Sequence, residues 1–457
     1  MAGHPAVSRL VARLDQTPKT LDILHLTHDG RGVARWPEGH PQAGKAVFVA
    51  GALPGETVSV QQTARSKQFD EAKTLDVLVP SPDRVQPRCP HFGTCGGCVL
   101  QHLAEDRQIT YKQQVLLDNL QRIGHVAPAG VLPPLRGEAW GYRRKGRFSV
   151  RRVEKKDKTL VGFREQDPRF VADISECHVV VPQLGTKVAA LGALVDGLDA
   201  RRDIPQIEFI AGDAATALVV RHLQPLSEAD KTKLAAFGEA HGFALFLQPG
   251  GLDSVHPLGD DVALSFRLPQ WDVELQFRPL DFIQVNARLN EAMIARALDL
   301  LDVQPGERVL DLFCGLGNFT LPLARASGDG AVVGVEGDAG LVARARGNAQ
   351  RNGMGNVQFH VADLSQDLVG QPWLKAGFDK LLLDPARSGA IEVLKQLPLK
   401  GLKRIVYVSC HPGSLARDAG WLVNEAGWTL REAGVMDMFP HTAHVESIAV
   451  FDPPKKG

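Results

Sequence analysis

The sequence predicts a multidomain chain ending in a doubly wound, Rossmann-like α/β domain, and three observations carry that reading. From about residue 276, apolar runs such as RVLDLFCG, AVVGVEG, VQFHVAD, FDKLLLDPAR and RIVYVSC alternate with helical segments. Runs of this kind suit parallel strands covered on both faces. Residues 20–80 instead alternate apolar and polar side chains at period 2, broken by Gly and Pro, the pattern of a small antiparallel β-barrel. Between them, CPHFGTCGGC (89–98) places three of the chain's six cysteines within ten residues. The expected division is therefore 1–80, a central α+β part over 81–275, and 276–457.

Composition bounds the rest. At 457 residues, 44% hydrophobic and 23% charged, the chain is long enough for several packed cores. Its 52 basic and 52 acidic side chains cancel, so affinity for a nucleic acid must come from local patches. MAGHPAVSRLVARLDQTPKT shows no apolar leader core, and no run approaches a membrane span. A cytoplasmic address, no membrane association and no obligate protein partner are the expectations. Thiols stay reduced in that compartment, so the cysteines argue for metal binding or catalysis over disulfides.

In the first part, Asp29-Gly30 and Pro54-Gly55 are turn signals between the strand-like runs. After the cysteines, LAEDRQITYKQQVLLDNLQRIG keeps Val115, Leu116, Leu120 and Ile123 at helical spacing until Gly124 stops it. VAPAGVLPPLRGE (126–138) reads as a Pro-rich linker. RFSVRRV, IEFIAG and TALVVRHL are strand-like runs of the central part, and TLREAGVMDMF with ESIAVFDP reads as a closing antiparallel hairpin.

The chemistry concentrates at predicted strand ends in the last part. In VLDLFCGLGNFTLPLA (309–324) a strand runs into a turn with Gly315 and Gly317, and Asn318 is placed to cap the following helix. Glycines there let the backbone approach a ligand at the carboxyl edge of the sheet. Glu336 ends the next strand, placed for ribose hydroxyls, and Asp363 ends the third. The dinucleotide pattern G-x-G-x-x-G is not met, which favours S-adenosylmethionine over NAD. Asp384-Pro385 closes the fourth strand run, and Cys410 closes the fifth just before Pro412. A thiol beside a helix N-terminus is expected to be favoured as thiolate. A thiolate that adds to carbon 6 of a uracil makes carbon 5 nucleophilic towards a sulfonium methyl, and a base such as Glu446 then removes the carbon-5 proton.

DLFCGLGNFTLPLA, LLDPARSGA, YVSCHPGSLARD and HVESIAVF together resemble the RNA uracil-5 methyltransferase family. The resemblance extends to RPLDFIQVNARLNEAM (278–293) and implies a class I methyltransferase fold. It implies Cys410 as nucleophile, Glu446 as base, and Gln284, Phe313, Asn318, Glu336, Asp363 and Asp384 around S-adenosylmethionine and the reacting base. Residues 20–80 resemble a TRAM (OB-like) RNA-binding module. The cysteine segment is similar to that of the ribosomal members, which implies a [4Fe–4S] cluster on Cys89, Cys95, Cys98 and Cys177 and a uridine of 23S rRNA as substrate. By spacing alone four thiolates accept zinc as readily as an iron–sulfur cluster. Two other readings stand beside this one: a transfer-RNA methyltransferase, and a non-catalytic RNA-binding assembly factor. YRRKGRFSVRRVEKKDK (142–158) holds nine Lys or Arg against two acids, with Tyr142 and Phe148 interleaved, a candidate RNA strip.

Overall fold

A computed structural model describes residues 16–454, so most of the amino-terminal stretch read above as lacking a leader lies outside the described residues. The chain forms two compact units. One holds the described residues up to Arg88 together with Val99–Arg107, and the other holds Cys89–Cys98 and the residues from Gln108 onward.

The first unit is a six-stranded sheet: β1 (Lys19–Asp22), β2 (His25–Leu26), β3 (Gly32–Arg35), β4 (Ala46–Ala50), β5 (Thr57–Arg65) and β6 (Phe69–Val79), in the order β1-β5-β6-β4-β3-β2. The expected all-antiparallel pairing does not hold throughout, because β4 and β6 run parallel. Both predicted turn glycines take the left-handed backbone, at φ 84° for Gly30 and 80° for Gly55. Alternating inward residues, among them Leu21, Val47, Val49, Val58 and Val60, make the core. A fully buried carboxylate organises one end of it. Asp70 accepts from Trp36 Nε1 at 2.8 Å, Gln62 Nε2 at 2.9 Å and Lys45 Nζ at 2.5 Å.

Helix α1 (Glu105–Arg122) gives the second unit its residues from Gln108 on, with Gln108, Ile109, Lys112, Leu116 and Leu120 buried along one stripe. Ile123, expected on that stripe, is exposed. The segment read as a linker is instead sheet. Within it β7 (Gly130–Val131) pairs parallel to a later strand, and the N–H groups of Leu132 and Leu135 continue that pairing beyond it. Its prolines leave enough N–H groups for a sheet edge, where Pro is tolerated.

The central part is a second six-stranded sheet. It contains β8 (Lys145–Val153), β9 (Lys158–Gly162), β10 (Gln206–Ala211), β11 (Thr216–Arg221), β12 (Phe243–Gln248) and β13 (His256–Pro257), in the order β13-β12-β11-β10-β8-β9. Helices α2 (Pro182–Gly185), α3 (Val188–Asp196) and α4 (Glu228–His241) lie between them in the chain, and a hairpin of β14 (Leu264–Leu268) and β15 (Val273–Phe277) follows.

Helix α5 (Ala287–Leu301), capped by Asn286, leads into the doubly wound domain. Its elements are β16 (Val309–Leu312), α6 (Thr320–Ser327), β17 (Val332–Glu336), α7 (Ala339–Arg351), β18 (Val357–Val361), β19 (Lys380–Leu383), α8 (Ile391–Leu394), β20 (Arg404–Ser409), α9 (Pro412–Asn424), β21 (Thr429–Met436) and β22 (Glu446–Asp452). The sheet order is β18-β17-β16-β19-β20-β22-β21-β7. The first five strands are parallel, and β22 and β21 form the expected antiparallel closing hairpin. In β19, Leu381 and Leu383 enter one core and Leu382 the other, so both faces are covered as the apolar runs required. Chain order reverses between β16 and β19, the switch point at which such sheets open a crevice.

Candidate active site

Strand register brings the chemistry-bearing residues to one edge. Leu312, at the end of β16, pairs with Val335 of β17 and Leu383 of β19. Glu336, Asp384 and Cys410 end or follow neighbouring parallel strands, so all open onto the same crevice. On the antiparallel side Ser409 pairs with Ser447, so Cys410 and Glu446 each lie one residue beyond that last pair at the same edge, and Cys410 feels the Glu446 charge. Cys410 is part-buried, and Glu446 is 6% exposed.

These groups share one electrostatic field. Burial pushes the Glu446 carboxyl up to about 8; the Asp384 charge adds to that, while Lys112 and Arg387 act against it. Burial alone raises Asp384 to about 7. Burial also raises the Cys410 thiol to about 11, helped by Glu446 and Asp384 and opposed by Arg387. The expectation of a favoured thiolate is therefore reversed. A low-dielectric pocket with two facing carboxylates outweighs the helix terminus, and the thiol is protonated near neutral pH. His411 caps α9, its Nδ1 accepting the Ser414 N–H at 3.1 Å.

The neighbouring glycine turn is built around a second carboxylate. Glu336 accepts from the N–H groups of Gly315 at 3.2 Å, Gly337 at 2.7 Å and Asp338 at 3.1 Å. The turn is tight: Phe313, Gly315 and Gly317 all have positive φ (65°, 54° and 93°), a backbone that costs a phenylalanine where glycine adopts it freely. Beneath it Asp311 is fully buried. Thr320 Oγ1 donates to its Oδ2 at 2.5 Å, while Oδ1 has no hydrogen-bond partner among the described residues. Burial first, then the Asp384 and Glu336 charges, push this carboxyl up to about 8. Three carboxylates around one strand end, one with an unpaired oxygen, suit a cationic ligand.

Other predicted residues are placed differently. Asn318 does not cap α6, whose N-cap is Phe319; it pairs reciprocally with Asn290 through two amide bonds of 2.9 Å. That pairing ties α5 to the turn. Asp363 lies at the surface just past β18, where the Ser365 hydroxyl (2.7 Å) and N–H (3.0 Å) hold it below the usual carboxylate range. Gln284 precedes α5, its carbonyl accepting from Arg144 Nε at 2.8 Å. Buried Cys314 lies in the turn, as read from the sequence.

The four cysteines named as ligands come from two chain segments of the same unit and are all free thiols. Burial raises Cys177 to about 11; backbone N–H groups of Val180 and Val179 act against that, and the Cys95 and Cys89 charges add to it. Cys95 accepts the Gly97 N–H at 3.4 Å and feels Cys89. Cys98 and Cys177 both act on Tyr142. Gly96 lets the segment lie against the 164–165 backbone, since a Cβ there would stand 2.8 Å from the Glu165 carbonyl oxygen. Cys95 and Cys177 each have backbone N–H donors at sulfur, the kind of contact a thiolate ligand accepts. No group of three or more His, Cys, Asp or Glu among the described residues is drawn together to metal-holding positions.

Comparison with known proteins decides the family. A family model described as tRNA (Uracil-5-)-methyltransferase matches residues 260–452. A Stenotrophomonas maltophilia protein named 23S rRNA (uracil(1939)-C(5))-methyltransferase RlmD is 71% identical over 98% of this chain and 100% of its own length. A Xanthomonas euvesicatoria protein of the same name is 69% identical over the same shares. The chain belongs to the RNA uracil-5 methyltransferase family. Its fold is similar to that of a solved structure, Pyrococcus abyssi tRNA (uracil-54, C5)-methyltransferase in complex with S-adenosyl-L-homocysteine. The TM-score is 0.72 at 23% identity, covering 94% of this chain and 99% of the other.

Within that family frame the basic strip changes character. Tyr142 and Phe148 are buried and offer no stacking face. Arg144 is buried too, and Arg147, Arg152, Lys156 and Lys158 pair with Glu208, Asp196, Asp173 and Asp173. The strip is largely strand β8 and its flank, with four of its nine cations paired to carboxylates. Sequence reasoning missed Lys112, Asp437, Arg387 and Asp311. For Lys112 a signal existed: a lysine four residues after Gln108 and four before Leu116, on a buried helical stripe.

Proposed function

We propose that this chain transfers a methyl group to carbon 5 of a uridine in 23S rRNA, through a covalent Cys410 adduct resolved by Glu446. The observation that supports the mechanism is that Cys410 and Glu446 both directly adjoin the Ser409–Ser447 pair at the sheet edge. The ribosomal assignment is supported by relatives of that name at about 70% identity along nearly the whole chain. The tRNA named for the family model and for the archaeal structure enters through a partial match and a 23% likeness, which speak to fold.

S-adenosylmethionine, when bound, supplies the methyl group and a positive sulfonium charge. Asp311, Glu336 and Asp384 fit a cation of that kind, with the Glu336 carboxylate held in place by the turn it closes. Gln284, Phe313, Asn318 and Asp363 are the further residues proposed to line that site. Cys410 Sγ attacks carbon 6, its proton passing to a neighbouring carboxylate, of which Asp384 is not needed later as base. Carbon 5, made electron-rich, takes the methyl. Glu446 then removes the carbon-5 proton and the sulfur leaves.

The amino-terminal sheet is assigned to RNA binding as a TRAM module, and Cys89, Cys95, Cys98 and Cys177 to a closed, structural [4Fe–4S] cluster that takes no part in the chemistry. The substrate implies a cytoplasmic protein. Incubating unmodified 23S rRNA and tRNA with methyl-labelled cofactor and mapping 5-methyluridine tests the reading. Label in 23S rRNA is the expected result; label confined to tRNA, or none in RNA, refutes it.

A further inference from the structure

We infer that Lys112 is a positioning residue for the last step, its buried ammonium holding Glu446 in the charged state that accepts the carbon-5 proton. This rests on the proposed role of Glu446. In that step a Glu446 oxygen takes the proton and the C–H electron pair closes the carbon 5–carbon 6 double bond. The Cys410 sulfur–carbon 6 bond breaks with its pair returning to sulfur.

The geometry is built for a charge and not for packing. Lys112 occupies a core position of α1 between Gln108 and Leu116, where a leucine would fill the space without any polar group to satisfy. It is 0% exposed, and its Nζ donates to Asp437 Oδ1 at 2.7 Å and to the Phe439 carbonyl at 2.9 Å. Asp437 directly follows Met436, the cross-strand partner of Glu446, so the lysine is anchored one residue beyond the residue paired with the base. Burial lowers the Lys112 ammonium from its ordinary range, and the Asp437 and Glu446 charges act against that.

The groups facing Glu446 come from every neighbouring element. Asp384, after β19, raises it; Lys112 on α1 and Arg387, in the loop after Asp384, lower it. Cys410, after β20, feels it in turn. Arg387 is exposed and shared, its Nη2 3.1 Å from His444 Nδ1. Burial, then the Arg387, Lys112 and Arg143 charges, lower His444 from its ordinary range. Lys112 is therefore the buried cation among them, screened less by solvent than Arg387. A structural tether between α1 and the 437–439 loop uses the same two hydrogen bonds, and the pH dependence of adduct resolution is what separates the two roles.

The test measures single-turnover resolution of the methylated RNA–protein adduct against pH in the full-length protein. Lys112→Met is expected to move the acid limb to higher pH by about one unit and to accumulate adduct carrying labelled methyl. Lys112→Arg, which keeps the charge, is expected to restore the limb. Lower rates with an unmoved limb and no accumulation overturn the proposal in favour of a tether. If Lys112→Met does not fold, Asp437→Asn carries the test: it leaves the lysine unneutralised, so the limb moves to lower pH, and an unmoved or raised limb overturns the proposal. Glu446→Gln run alongside separates the underlying reading, because failure of that variant to trap methylated adduct removes Glu446 as base whatever Lys112 does.

Discussion

Replacing Glu446 by Gln is expected to stabilise the protein while abolishing turnover, and the gain should grow with pH. The carboxyl is buried at 6% exposure, and its folded-state value is about 8 against an ordinary 4.5. A raised carboxyl keeps its proton in the folded state while the unfolded chain has already lost it. Stability therefore falls as pH rises from the unfolded value and levels off above the folded one. At about 1.4 kcal/mol per tenfold, the full gap is worth about 5 kcal/mol, of which about 3 kcal/mol develops between about pH 5 and pH 8. Glutamine carries no such term, so the variant's advantage in urea unfolding should widen by up to about 3 kcal/mol over that interval. An advantage that stays constant or narrows with rising pH refutes the raised Glu446 carboxyl, and with it the account of why a base must be held charged here.

Two further outcomes follow from other parts of the chain. Asp70→Ala removes the acceptor of Trp36, Gln62 and Lys45 at once. It should cost about 3 kcal/mol in urea unfolding of the full chain, with Asp70→Asn costing less; a loss under about 1 kcal/mol refutes the reading of that network. Anaerobically purified protein should be brown and Cys95→Ser protein should be colourless; colourless, zinc-containing wild type with full activity refutes the iron–sulfur assignment.

The doubly wound half was legible because its signal is local. Strands covered on both faces must be apolar at every position, and a strand that must turn at a ligand edge needs glycine, so RVLDLFCGLG announces both at once. Burial of Leu381, Leu382 and Leu383 in two different cores is the same fact seen in three dimensions. Strand ends were legible for the same reason, and parallel register then carried Glu336, Asp384 and Cys410 to one edge without any further information. What stayed hidden depended on partners far along the chain. The Pro-rich 126–138 segment reads as a linker until β21 supplies an edge for it. Asn318 reads as a cap until Asn290 offers a second amide.

The ionisation of Cys410 is the sharpest case. Its local setting, a strand end before a proline-started helix, argues for a thiolate, and that argument is sound for the terminus alone. Burial reverses it, with Glu446 and Asp384 arriving from β22 and β19 to add to the effect, and chain order records neither the burial nor those neighbours. The same reversal gives the site its logic. Burial raises the thiol and both carboxyls above their ordinary values, and a cation entering beside them would act in the opposite direction. Lys112 then stands apart as the buried cation whose charge acts on Glu446. A helix stripe with a lysine where periodicity asks for leucine is a local signal of that distant need.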